Sequence, residues 1–192
     1  MRIEVSRDVF RLAQVFTISR GSRTEAQVLT VRITDGGVTG WGECVPYARY
    51  GETLESVSAE IEALSGPLTR DALYDLLPAG AARNAVDCAL WDLQAKQAGK
   101  PVWELAGLAR PGPEITAFTL SLDSPEKMRE QAALHAHRPL LKIKLGTPDD
   151  MPRLEAVRAG APDAQIIIDA NEGWSAGVYA DLAPHLVRLG VS

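Results

Sequence analysis

Two short stretches of the chain combine residue types that can move protons. Lys142-Ile143-Lys144 lies at the end of an apolar run, Leu140–Leu145, that reads as a buried strand. Strand side chains alternate, so Lys142 and Lys144 share one face while Ile143 points to the other. Amines crowded together in a desolvated site resist protonation, and this is how a lysine becomes a general base near neutral pH. Asp169-Ala170-Asn171 closes a second apolar run, Ile166-Ile167-Ile168, and again sets two polar side chains on one face. A carboxylate at such a place is a hard oxygen ligand of the kind Mg²⁺ takes. Alone, each pattern is ordinary. Paired lysines at a strand end are commonly solvated, an isolated Asp commonly caps the next loop, and one carboxylate does not make a magnesium site.

The elements that would position these residues follow from periodicity and turn chemistry. Ile3–Phe10 is strand-like, Phe16–Glu25 is polar and Arg-rich and reads as a loop, and Gln27–Thr34 and Val38–Glu43 flank the hairpin turn Asp35-Gly36-Gly37. A second loop, Cys44–Glu52, leads to a helix capped by Thr53 with Leu54, Val57, Ile61 and Leu64 at helical spacing. Thr69–Leu77 is a short helix, and Ala82–Ala98 a long one stopped by Gly99 and Pro101. Pro111-Gly112-Pro113 marks a boundary between domains 1–112 and 113–192.

Beyond that boundary strand and helix patterns alternate about every 25 residues, the size of a βα unit. Ile115–Leu122 precedes a helix opened by Ser124 and Pro125. Leu140–Leu145 precedes one opened by Thr147 and Pro148, with Asp149 and Asp150 in its first turn. Gln165–Asp169 precedes a helix over Ala176–Leu189 that Pro184 is expected to kink or split. The fold class is therefore α/β: an α+β domain followed by the first three βα units of a (β/α) barrel. A whole barrel takes eight units and about 250 residues. Three units leave an open strand edge, so the barrel is expected to be incomplete here.

Composition removes several alternatives. A net charge of −5 with scattered basic residues argues against nucleic acid. No apolar run is long enough to span a membrane, and the charged, alternating N-terminus is unlike a signal peptide. Cys44 and Cys88 are far apart and unaccompanied, which suits a reducing, cytoplasmic setting. Gly37, Gly40 and Gly42 lie in a hairpin and are not a dinucleotide fingerprint. His135 and His137, two apart on an expected helix, do not share a face, and His185 reads as a surface residue. Trp91 and Trp103 read as core, and Trp174 as a neighbour of the barrel mouth.

Taken together, Lys-x-Lys on one strand, Asp-x-Asn on the next and the helix Arg83-Asn84-Ala85-Val86-Asp87-Cys88-Ala89-Leu90-Trp91-Asp92-Leu93 with its Gly99-Lys100-Pro101 ending resemble the enolase superfamily, in its muconate-lactonising subgroup. The stretches Thr17–Ala26 and Gly42–Glu52 resemble the specificity loops of dipeptide epimerases that act on L-Ala-D/L-Glu. The resemblance implies an α+β capping domain before the barrel and a lysine base working with Mg²⁺ on a proton α to a carboxylate. It implies that Lys144 is the base, that Lys142 supports it, that Asp169 is a metal ligand and that Asn171 backs it. Arg20, Arg23, Arg49 and Tyr50 become candidates to contact the dipeptide, an Arg being well suited to a carboxylate. The family's second lysine and remaining metal carboxylates come from later barrel strands and do not occur in these 192 residues. The alternatives are a muconate cycloisomerase, an o-succinylbenzoate synthase, an N-acylamino-acid racemase, or an inactive fragment serving as an interaction module. The expected partner is a small dipeptide, and a homo-oligomer is left open.

Overall fold

The computed structural model describes residues 1–192 and divides them into two compact units, Met1–Arg11 with Glu25–Gly112, and Leu12–Thr24 with Pro113–Ser192. The expected boundary at 112/113 differs from this over residues 12–24, which group with the later segment.

Three strands, β1 (Arg2–Ile18), β2 (Gly21–Asp35) and β3 (Val38–Cys44), form a sheet in that order. β2 and β3 pair antiparallel around Gly36-Gly37, whose φ angles of 57° and 82° need the freedom of glycine. Alternation along β2 buries Leu29, Val31 and Ile33 on one face. Four helices follow: α1 (Leu54–Glu62), α2 (Arg70–Leu76), α3 (Ala81–Ala98) and α4 (Val102–Leu105). Thr53 caps α1 reciprocally with Ser56, each side-chain oxygen taking the other's backbone N–H at 3.0 Å.

Small residues on α3 let it approach β3 closely. A methyl group built on Gly42 would overlap the Ala85 carbonyl, and one on Gly40 the Ala89 carbonyl. Around this seam Val57, Ile61, Leu73, Val86, Leu90 and Leu93 close the first core. The helix ends at Gly99 in the left-handed region, as its sequence predicts.

The second unit alternates β4 (Phe118–Leu120), α5 (Pro125–Leu134), β5 (Leu140–Lys144), α6 (Met151–Gly160), β6 (Gln165–Asp169) and α7 (Ala176–Arg188). The three strands are adjacent and parallel, with Leu120 opposite Ile143 and Lys144 opposite Asp169. Leu120, Leu141, Ile143 and Ile166 meet Met128, Leu154 and Val157 in its core. Beyond α7, Val191 bridges in parallel to Ile166.

Five expectations need correction. Phe16–Glu25 is not a loop but the end of a long two-stranded ribbon turning at Ser19-Arg20. Its polar residues fit because the ribbon is exposed and its backbone finds partners: Thr17 donates to Ser121 Oγ at 2.7 Å and accepts from the Leu122 N–H at 3.1 Å. α6 starts at Met151, not after Thr147, because the Asp150 carboxylate folds back onto the preceding loop. Pro184 neither splits nor ends α7; one lost N–H is tolerated between the buried Leu182 and Leu186. His135 lies just past the end of α5, and Trp91 is only half-buried, with the Arg70 guanidinium 3.3 Å from its ring centre.

Candidate active site

Parallel pairing of β5 with β6 puts the ends of the two reactive stretches side by side. Lys142 Nζ lies 2.9 Å and Lys144 Nζ 2.8 Å from the same oxygen, Oδ2 of Asp169. Oδ1 accepts the Asn171 N–H at 2.9 Å. Lys144 is 8% exposed, while Lys142 is half-buried and reaches solvent more freely. The Phe16 ring lies beside Lys144, its centre 5.9 Å from Nζ. Burial alone would push the Asp169 carboxyl up, but hydrogen bonds from Lys144, Lys142 and the Asn171 N–H hold it well below the usual carboxylate range. Asp169 therefore stays ionised at neutral pH and is a poor proton acceptor.

The turn after β6 is strained and closely packed. Asn171 and Glu172 have φ angles of 49° and 63°, uncommon for residues other than glycine. The Asn171 carbonyl accepts Ser19 Oγ at 2.9 Å and Arg20 Nη1 at 3.0 Å, and Arg20 also pairs with Glu172 at 3.6 Å. Asn171 Oδ1 is buried without a hydrogen-bond partner. The structure thus gathers Lys142, Lys144, Asp169, Asn171 and Arg20. Arg23 is exposed on β2, and Arg49 and Tyr50 form part of a short 3-10 turn in the first unit.

Among the candidate ligands of a divalent cation, Asp169 stands alone, because no cluster of three or more His, Cys, Asp or Glu side chains forms. Both of its oxygens are already engaged. These 192 residues do not make a Mg²⁺ site by themselves. Cys44 is no alternative centre: burial, with Glu52 and Glu43 nearby, pushes its thiol up to about 11.

Sequence reasoning missed Asp150. Read as one of two acids in a helix's first turn, it is instead 1% exposed and takes four hydrogen bonds from the loops after β5 and β6 and a fifth from Arg153 of α6. Its position ahead of an Arg three residues on was the available signal.

An α+β domain with an antiparallel sheet, then parallel βα units carrying charged side chains at their strands' C-terminal ends, defines the N-terminal part of a barrel enzyme. Residues 2–107 match the N-terminal domain of the mandelate racemase/muconate lactonizing enzyme family, and the chain belongs to that family. It is 42% identical over 196 residues to the L-Ala-D/L-Glu epimerase of Escherichia coli, covering 99% of this chain and 61% of that protein. It is also 42% identical over 168 residues to an N-acetyl-D-glutamate racemase from Pseudoalteromonas, covering 84% of this chain and 52% of that one. A solved enolase family member from Agrobacterium tumefaciens, with homology to dipeptide epimerases and with bound sodium and L-Ala-L-Glu, matches with a TM-score of 0.94 at 50% identity over 99% of this chain and 60% of that chain. A dipeptide epimerase from Enterococcus faecalis complexed with Mg and L-Leu-L-Tyr matches with a TM-score of 0.87 at 28% identity, over 98% of this chain and 58% of that one. The chain thus spans less than two thirds of the length of these relatives.

Proposed function

We propose that this chain supplies one half of a dipeptide epimerase active site, acting on dipeptides of the L-Ala-D/L-Glu kind. The observation that carries the reading is the convergence of Lys142 and Lys144 on Asp169 at the ends of two parallel strands. In this reading Lys144, the more buried amine, takes the proton from the carbon α to the substrate carboxylate. The electron pair left behind spreads into that carboxylate, and the proton returns from the same lysine or arrives at the opposite face from a second acid. That second acid belongs to a longer polypeptide of the relatives' length. Lys142 lies beside Lys144 and adds positive charge where negative charge develops. Asp169 holds the Nζ atoms of both lysines in place, and Asn171 holds the Asp169 carboxylate through its backbone. Arg20, hydrogen-bonded to the Asn171 carbonyl, would present a guanidinium to an acidic dipeptide. Arg23, Arg49 and Tyr50 stay candidates for substrate contact on the strength of the loop resemblance alone.

Mg²⁺, which the Enterococcus epimerase holds, would neutralise charge on the substrate carboxylate, with Asp169 as one of its ligands and the others outside these residues. A cytoplasmic setting fits the unpaired thiols of Cys44 and Cys88. No helix is long and apolar enough to cross a membrane.

The equal identity to an N-acetylglutamate racemase gives a second reading, in which the same site serves an N-acylamino acid. The two are separated by following α-proton exchange in D₂O with a polypeptide of the relatives' full length. Exchange and epimerisation of L-Ala-L-Glu well above those of N-acetyl-glutamate support the dipeptide reading, and the reverse order refutes it.

A further inference from the structure

We propose that Asp150 is a positioning residue, a buried carboxylate that locks the loops after β5 and β6 together and so holds the Asp169–Asn171 turn against Lys144. The inference rests on the reading of Lys144 and Asp169 as the reacting pair. Asp150 Oδ2 accepts the backbone N–H groups of Gly146 and Thr147, each at 2.7 Å, and the Trp174 indole N–H at 2.8 Å. Oδ1 accepts Thr147 Oγ1 at 2.9 Å and Arg153 Nη1 at 3.0 Å. An anion so buried is tolerated only when its lone pairs are met this fully. The residue occupies the first position before α6, yet its side chain caps none of that helix's backbone N–H groups; its one bond to the helix is to the Arg153 side chain. Four of its five hydrogen bonds come from the loops, and none starts the helix.

The loops it joins carry the site. Gly146 follows Lys144 by two residues, and Trp174 follows Asn171 by three. Where the loops cross, Gly173 lies so close to the Gly146 backbone that no methyl group fits on it. The same indole N–H is shared with the Thr147 carbonyl at 3.1 Å, so one donor ties Trp174 to both Asp150 and the loop after β5. Arg153 extends the lock to the loop after β4 by donating to the Asp123 carbonyl at 2.9 Å. The consecutive left-handed residues Asn171 and Glu172 are unfavourable by themselves and persist only where their surroundings over-determine them. Asp150, through Trp174, provides that restraint one turn from the Asp169 carboxylate. Losing it lets the turn relax and moves Asp169 relative to Lys144, and a displacement of about 1 Å in such a pair can cost on the order of a hundredfold in rate.

The test uses Asp150→Asn, Trp174→Phe and the double variant in a polypeptide of the relatives' full length. Trp174→Phe removes the indole donor and serves if Asp150→Asn fails to fold. It also assigns the Trp174 indole signal among the tryptophan signals of a ¹⁵N spectrum. Asp150→Asn is expected to shift that signal and the Asn171 amide, and to lower kcat of the folded protein about 10- to 100-fold with KM within about threefold. The double variant is expected to fall within about twofold of the worse single one, since both changes cut the same connection. An unshifted Asn171 amide, an unchanged kcat per folded molecule, or fully multiplicative single effects would overturn the proposal. A wild-type protein without α-proton exchange would defeat the proposed function instead; the Asn171 amide in Asp150→Asn then decides this inference alone.

Discussion

Replacing Gly146 by Ala tests whether the ribbon end is seated on the strand ends that carry the candidate site. A methyl group at this position would lie 3.1 Å from the Ala170 carbonyl oxygen and 3.3 Å from Ser19 Cα, and about 1 Å inside ordinary contact with Ser19 Cβ. Ser19 and Arg20 cannot yield that distance and keep their bonds of 2.9 Å and 3.0 Å to the Asn171 carbonyl. Overpacking of this kind costs about 1–3 kcal/mol. If the cost falls on seating of the ribbon, the population of its open form rises about 5- to 150-fold. Trypsin reads that population directly, because Arg20 and Arg23 lie in the ribbon's end. When reclosing outpaces cleavage, the rate of cutting at these two arginines rises by the same factor. Gly112→Ala is the control, since nothing lies within 4 Å of its added methyl and its backbone needs no positive φ. A Gly146→Ala protein cut within twofold of the wild-type rate, with unchanged global stability, would refute the reasoning.

Three further outcomes follow from the same packing and charge arguments. Gly42→Ala forces β3 off α3 at the Ala85 carbonyl and should destabilise by about 1–3 kcal/mol or more, read as a lowered urea midpoint; an unchanged midpoint contradicts the seam. The Asp169 carboxyl is held below its unfolded value of about 3.9, so its contribution is fully present above that pH and is lost as pH falls through the folded value. The stability gap between wild type and Asp169→Asn should therefore be constant from pH 7 to about 5 and narrow by pH 3, and a gap equal at pH 7 and 3 in urea titrations would contradict it. Because Asp169 is the lone candidate ligand, the 192 residues alone should show no saturable Mg²⁺ binding below about millimolar in calorimetry, and tight binding would reveal ligands outside the proposed site.

The sequence made the architecture legible where one local rule and one burial pattern agreed. Thr53, Ser124 and Gly99 mark helix ends because their cap chemistry acts within a few residues. Lys142, Lys144 and Asp169 could be placed together because strand alternation and parallel pairing leave few other arrangements. The ribbon end at Phe16–Glu25 was hidden because its strands are exposed and show no apolar alternation; only distant partners such as Ser121 and Leu122 reveal it. Asp150 was hidden for a related reason. Its partners Gly146 and Thr147 are local, but the indole of Trp174 is 24 residues away, and Arg153 three residues on was the one local signal. Pro184 misled because propensity describes an isolated helix, whereas buried neighbours on both sides keep α7 intact.

The central claim is that Lys144 moves the α-proton on one face of the substrate. It is tested most directly by Lys144→Ala in a polypeptide of the relatives' full length, incubated in D₂O with L-Ala-L-Glu and separately with L-Ala-D-Glu. The predicted result is a fold unchanged by circular dichroism, epimerisation lowered by at least about 10²- to 10⁴-fold, and deuterium entering at most one of the two epimers. Substantial epimerisation, or deuterium entering both epimers at wild-type rates, would contradict the account.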